Sequence, residues 1–85
     1  MDINLRFFAS VRETLGTSQE SAAMPPGVTT VGAVRTHLVS RGGVWAEALS
    51  PERALRMAYN QVMCSPETAL TDGCEVAFFP PVTGG

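Results

Sequence analysis

The residues best placed to do chemistry stand at the end of the chain. Phe78-Phe79-Pro80-Pro81 runs into Val82-Thr83-Gly84-Gly85. Val76 and Phe78 point one way and Ala77 and Phe79 the other, as in a strand. Pro80 and Pro81 fix φ and lack an N–H, so sheet pairing is expected to stop there. Each proline also holds the residue before it extended. The chain is therefore expected to leave the sheet as a rod, with Val82 to Gly85 reaching up to about 14 Å further. Gly84 and Gly85 carry no Cβ and fit a slot too narrow for other residues. The group delivered to the bottom of such a slot is the α-carboxylate of Gly85. A carboxylate is inert until activated. Joined to AMP it becomes a mixed anhydride, and a nucleophile then displaces AMP. A nucleophile that delivers sulfur leaves a thiocarboxylate, which is a portable and protected sulfide equivalent. In this reading Gly85 is the reacting residue, and Pro80, Pro81, Val82, Thr83 and Gly84 form the inserting tail.

Nothing else in the chain competes with that terminus. His37 is the only histidine. It has no neighbouring signal for a Ser–His–Asp or Cys–His arrangement, and reads as a solvated or half-buried side chain. Cys64 and Cys74 are too far apart in sequence for a Cys-x-x-Cys pair, which argues against a zinc or redox site. Cys64 lies in an apolar strand and reads as a small core residue. Cys74 stands beside Glu75, whose charge disfavours a thiolate. The carboxylates are scattered, with no pair placed as general acid and base.

Composition narrows the function classes further. Eighty-five residues make one domain with one small core. The net charge is −2, so nothing here attracts a phosphate backbone, and nucleic acid is set aside. All the basic residues are arginines. A Walker-type loop and a Schiff base both need lysine, so any nucleotide chemistry must be done by a partner. No signal peptide or membrane span is expected, which points to the cytoplasm and free thiols.

The elements that must position the tail are legible in order. Ile3, Leu5 and Phe7 alternate with Asn4, Arg6 and Phe8 in a first strand. Ser10 and Glu13 have capping-box spacing for a short helix that Gly16 stops. Gln19 to Met24 is a weaker strand, ended by Pro25-Pro26-Gly27. Thr30 caps a main helix from Val31 to Ser40, whose Val31, Val34 and Leu38 form one buried stripe. Trp45, Ala48 and Leu49 supply a short second helical piece, and Ser50-Pro51-Glu52 a turn. Arg53 to Tyr59 and Gln61 to Cys64 read as strands broken near Asn60. Ser65-Pro66-Glu67 and Asp72-Gly73 are turns before the last strand. One main helix must cover one face of a mixed sheet of about five strands, which is an α+β fold. With the first and last strands paired centrally, it is the ubiquitin-like β-grasp. Residues 1–79 then make the domain and residues 80–85 its extended tail. If the two central strands are neighbours, Phe8 and Phe79 lie side by side on the uncovered face, where Met63 can join them. Such an apolar patch marks a partner-binding surface.

At these residues a family becomes recognisable. Asp72-Gly73 followed by Glu75-Val76-Ala77-Phe78-Phe79-Pro80-Pro81-Val82-Thr83-Gly84-Gly85 closely resembles the ending of the small, sulfur-carrier subunits of molybdopterin synthases. Phe7-Phe8-Ala9, with Val11-Arg12-Glu13 and Gly16 after it, is similar to that family too, as is Asn60-Gln61 before Val62-Met63. Cys74 departs from the pattern, in which an acidic residue is usual after Asp-Gly. The resemblance implies a β-grasp carrier that holds no cofactor and is no enzyme on its own. It implies an adenylyltransferase of the ubiquitin-activating type, which uses ATP and magnesium to activate Gly85, and a sulfur donor that makes the thiocarboxylate. The tail then enters the large synthase subunit, which holds the catalytic side chains. Sulfur passes to cyclic pyranopterin monophosphate and builds the dithiolene of molybdopterin. In that family two small subunits sit at opposite ends of a large-subunit dimer, a heterotetramer. The nearest rivals are a thiamin-type sulfur carrier, which is typically shorter and lacks Phe-Phe-Pro-Pro, and a ubiquitin-like modifier joined to lysines through Gly85.

Overall fold

Alternation in the first strand settles which face of the molecule is packed. The structure, a computed structural model, describes residues 1–81. Strand β1 spans Asp2–Phe7 and buries Ile3, Leu5 and Phe7, leaving Asn4, Arg6 and Phe8 on the other side. Helix α1, Ala9–Leu15, follows at once, then β2, Gln19–Ala23, antiparallel to β1. Helix α2, Val31–Val39, buries Val31, Val34 and Leu38 against the sheet, and the short α3, Val44–Leu49, adds Ala48 and Leu49. Strands β3, Arg56–Tyr59, and β4, Val62–Met63, form a hairpin. Its two loop residues, Asn60 and Gln61, have φ of 48° and 68°, the signature of a type I′ turn. Strand β5, Glu75–Phe79, closes the sheet in the order β2-β1-β5-β3-β4. It runs parallel to β1 and antiparallel to β3. This is the ubiquitin-like β-grasp, with the first and last strands at the centre.

The core fills the space between the sheet and the helices. Val76 and Phe78 project into it from β5 and are fully buried. Phe7 meets Trp45 of α3 edge to face, with ring centroids 5.6 Å apart. Arg41 stacks on the same indole: its guanidinium lies 4.4 Å from the Trp45 ring and forks onto Glu20 at 2.8 and 3.2 Å. Arg35 reaches from α2 to the carbonyls of Leu49 and Ser50, acceptors that the end of α3 leaves open, and to that of Arg53 in the loop beyond. Burial pulls its guanidinium below the ordinary value, by desolvation.

The start of α2 is held by a distant loop. The Thr30 hydroxyl accepts from the Ala33 N–H, as its capping position predicts. The next orphan donors, Val31 and Gly32, bond the carbonyls of Thr68 and Pro66 at 3.0 and 2.8 Å. Glycine is required at position 32 because a Cβ there would stand 2.9 Å from the Pro66 Cβ and 3.1 Å from its carbonyl oxygen. Gly32→Ala gains helix propensity, but the clash is with a loop that also carries the hydrogen bond. We expect a net loss of about 1–2 kcal/mol, hence a melting temperature lower by roughly 4–15 °C. A variant as stable as wild type in thermal unfolding would show that the loop yields freely.

Four local readings need correction. Ser10 is not an N-cap: α1 begins at Ala9, and Phe8 takes the cap position with no side-chain hydrogen bond. Ala9 adopts φ of 51°, turning the chain sharply out of β1 before the capping box can act. Strands β3 and β4 are shorter than the apolar runs that suggested them, starting at Arg56 and ending at Met63. The main helix ends at Val39, with Ser40 as its C-cap. Cys64, expected as a small core residue, also differs from expectation. Cys74 is the buried one and belongs to the core, whereas Cys64 is half-buried against its margin. The Thr71–Cys74 turn explains this, since Gly73 at φ of 80° folds Cys74 inward with its N–H on the Thr71 carbonyl.

Candidate functional site

Strand β5 carries the chain to the site, and its pairing on both sides fixes where the tail leaves. Phe78 lies opposite Phe7 and Met57, and Phe79 lies opposite Arg56. The Phe8 N–H reaches the Phe78 carbonyl at 3.4 Å, the last link between the central strands. Pro80 and Pro81 follow, half-buried and outside any strand. Asn60 anchors the other end of β5 by exchanging hydrogen bonds with Glu75 at 2.8 and 2.9 Å. The strand is thus held at both ends, and the direction of exit is set by the sheet rather than by the tail. Val82, Thr83, Gly84 and Gly85, the expected tail tip and reacting residue, lie outside the described residues.

The helices cover one face of the sheet and leave the other open. On that open face Phe8 and Phe79 meet edge to face, with centroids 6.2 Å apart and planes at 86°. Phe8 is 41% exposed although it is a large aromatic at a strand end. The sharp turn at Ala9 carries α1 away and leaves it uncovered. Phe8, Ala9, Phe79 and Pro80 line one shallow apolar depression at the root of the tail. Met63 is 56% exposed on the same face, opposite Ala58, which in turn faces Ala77. It stands two strands from β5, beyond two small residues, and so extends the apolar surface without touching the pair. Ala77 is buried, its single methyl lying below the longer side chains around it.

Two charged residues of this face were not singled out from sequence. Arg56 stands directly across from Phe79 and is exposed. The Arg6 guanidinium carbon lies 5.7 Å from the Phe8 ring, and its Nη1 lies 3.8 Å from Glu75. The signal for Arg6 was present, since alternation puts it on the same side of β1 as Phe8. Arg56 needed the register of β3 against β5, which no local pattern gives. Among the described residues no cluster of three or more His, Cys, Asp or Glu side chains is placed to hold a metal, and no helix is long and apolar enough to cross a membrane.

Comparison with known proteins adds the family. The model of the ThiS family matches residues 5–85. The chain belongs to the ThiS family. Within reach of that family, it is 50% identical to the molybdopterin synthase sulfur carrier subunit of Escherichia coli (strain K12), over 98% of this chain and 99% of that one. It is 42% identical to the protein of the same name from Haemophilus influenzae (strain ATCC 51907 / DSM 11121 / KW20 / Rd), over 98% and 99%. The solved protein-protein complex of subunit 1 and 2 of the molybdopterin-converting factor from Helicobacter pylori 26695 contains a chain of the same fold. It matches with a TM-score of 0.67 and 22% identity, over 100% of both chains. The ThiS family and the β-grasp architecture therefore agree with what the tail and the central strands implied.

Proposed function

We propose that this chain is the sulfur-carrier subunit of a molybdopterin synthase. The observation that carries the reading is the whole-length 50% identity to a protein of that name, joined to a Phe-Phe-Pro-Pro-Val-Thr-Gly-Gly ending. Residues 1–79 act as the handle and residues 80–85 as the part that is chemically loaded. An adenylyltransferase of the ubiquitin-activating type forms an acyl-adenylate at Gly85 from ATP, with magnesium, and releases pyrophosphate. A sulfur donor then displaces AMP and leaves the thiocarboxylate. The loaded tail enters the large subunit, and its sulfur passes to cyclic pyranopterin monophosphate on the way to the dithiolene. The chemistry of transfer belongs to side chains of the large subunit. The cycle is cytoplasmic, where thiols remain reduced.

Docking is assigned to the open face beside the tail. Phe8 and Phe79 offer an exposed aromatic pair, and Met63 prolongs the apolar surface toward the sheet edge. The adenylyltransferase and the large subunit must both receive the same tail, so the two are expected to bind one carrier in turn. The deciding experiment is intact-protein mass spectrometry after co-expression with the activating enzyme and a sulfur source. Sulfur carriage predicts a gain equal to sulfur minus oxygen, confined to the C-terminal fragment. A Gly85 found in isopeptide linkage to lysines of other proteins, with no such gain, would assign the chain to protein modification instead.

A further inference from the structure

Four of the six arginines separate by face. On the helix side Arg41 forks onto Glu20 and stacks on Trp45, and Arg35 donates to three carbonyls. Arg6 and Arg56 stand on the open face instead. Arg56 is exposed and has no ion pair among the described residues. Arg6 has one loose, partly exposed ion pair, with Glu75 at 3.8 Å, but makes no side-chain hydrogen bond among the described residues, and its Nε is covered without an acceptor. Both stand beside the aromatic pair, Arg56 across from Phe79 and Arg6 with its guanidinium over the Phe8 ring. They lie on opposite sides of β5, Arg6 opposite Ala77 and Arg56 opposite Phe79, two residues apart along that strand, which places their Cα atoms about 12 Å from each other.

We propose that the surface which receives this chain presents carboxylates on both sides of an apolar pocket, placed to meet Arg6 and Arg56. The inference rests on the docking reading given above and adds the partner's charge pattern to it. A guanidinium fork pairs two oxygens in one plane, the geometry of an Asp or Glu side chain. With their Cα atoms about 12 Å apart on either side of β5, and Phe79 on the strand between them, the two arginines fit two separate carboxylates at the rim of an aromatic-binding pocket rather than one small anion. The chain as a whole has a net charge of −2, so its overall field does not attract such a surface. The attraction is local to this face. Rim charges of this kind act mainly on the rate of encounter and on its salt dependence.

The test measures association of the carrier with the purified large synthase subunit of the same source, by stopped-flow or surface plasmon resonance. Wild type, R56Q, R6Q and the double variant are compared at about 50 mM and about 500 mM salt. Arg56 is exposed, so R56Q is expected to keep the native melting temperature and needs no rescue. The R6Q/R56Q chain should associate about tenfold more slowly at low salt, with little change in dissociation, and should converge on wild type at high salt. R41Q removes the same charge from the helix side and should slow association less than R56Q. Rates for R56Q and the double variant within about twofold of wild type at low salt would overturn the inference and leave the docking reading standing. A wild-type chain that fails to bind the large subunit at all would overturn the docking reading, and the inference with it.

Discussion

Removal of Gly85 is expected to abolish sulfur transfer and leave the domain folded. The core runs from Ile3 to Phe78, and β5 is pinned by pairing with β1 and β3 before Pro80 is reached. A chain shortened by one residue therefore has all its packing, and its thermal unfolding should overlay wild type. Its new terminal carboxylate sits about 3.5 Å short of the old one. Misplacement of a reacting atom by even 1 Å costs on the order of 100-fold, so turnover with an intact activating enzyme and large subunit should fall by at least that factor. Gly84→Leu should fail equally, through the added side chain and not through length. Thiocarboxylate formation and synthase turnover are the measurements. A deletion chain that turns over normally would show that the tail is not the loaded part, and one that no longer folds would show that Gly85 belongs to the fold.

The second large effect is expected at Phe79. Its ring is half-buried, packs edge to face on Phe8, and lies at the root of the tail. If it is a central anchor, Phe79→Ala should cost about 2 kcal/mol or more of affinity for the large subunit, roughly a 30-fold rise in Kd. Loss of the aromatic pair also costs about 1 kcal/mol of folding stability, so the melting curve must be recorded first. Phe8→Ala is the cleaner companion, because Phe8 is already 41% exposed and lies outside the core cluster. The double variant then gives the coupling between the two rings, both in folding and in binding. An affinity within a few tenths of a kcal/mol of wild type would remove the patch from the interface. So would a ternary complex with both partners on one carrier.

The sequence carried the central part of the fold because that part is written in short-range patterns. Alternation at Ile3, Leu5 and Phe7, the stripe of Val31, Val34 and Leu38, and the apolar run closed by Pro80 each name an element and its buried face. Placing Phe8 beside Phe79 followed from pairing the first and last strands. What misled were local signals overridden from a distance. Ser10 and Glu13 have the spacing of a capping box, but the exit from β1 forces Ala9 to φ of 51° and moves the helix start. Cys64 reads as a core residue from its apolar neighbours but is only half-buried, while the turn at Gly73 folds Cys74 inward. The need for Gly32 lies in Pro66, more than thirty residues later, and no window along the chain contains both. Arg56 escaped notice for the same reason, since its importance comes only from facing Phe79 across β3 and β5.

The parallel pairing of β1 and β5 has a mechanical consequence. β1 starts the chain and β5 ends the domain, so the two ends emerge at opposite poles of one hydrogen-bonded pair. A pull on the tail against the body loads that pair lengthwise, and its links must slide together instead of parting one after another. The bonds flanking it, from Asn4 to the Cys74 carbonyl at 2.8 Å and from Phe8 to the Phe78 carbonyl at 3.4 Å, share the strain. In the proposed cycle the tail is gripped by one protein, withdrawn and gripped again by another, as a tethered hook would be. Anchoring such a hook in shear would let the body tug the tail free without the sheet unzipping behind it.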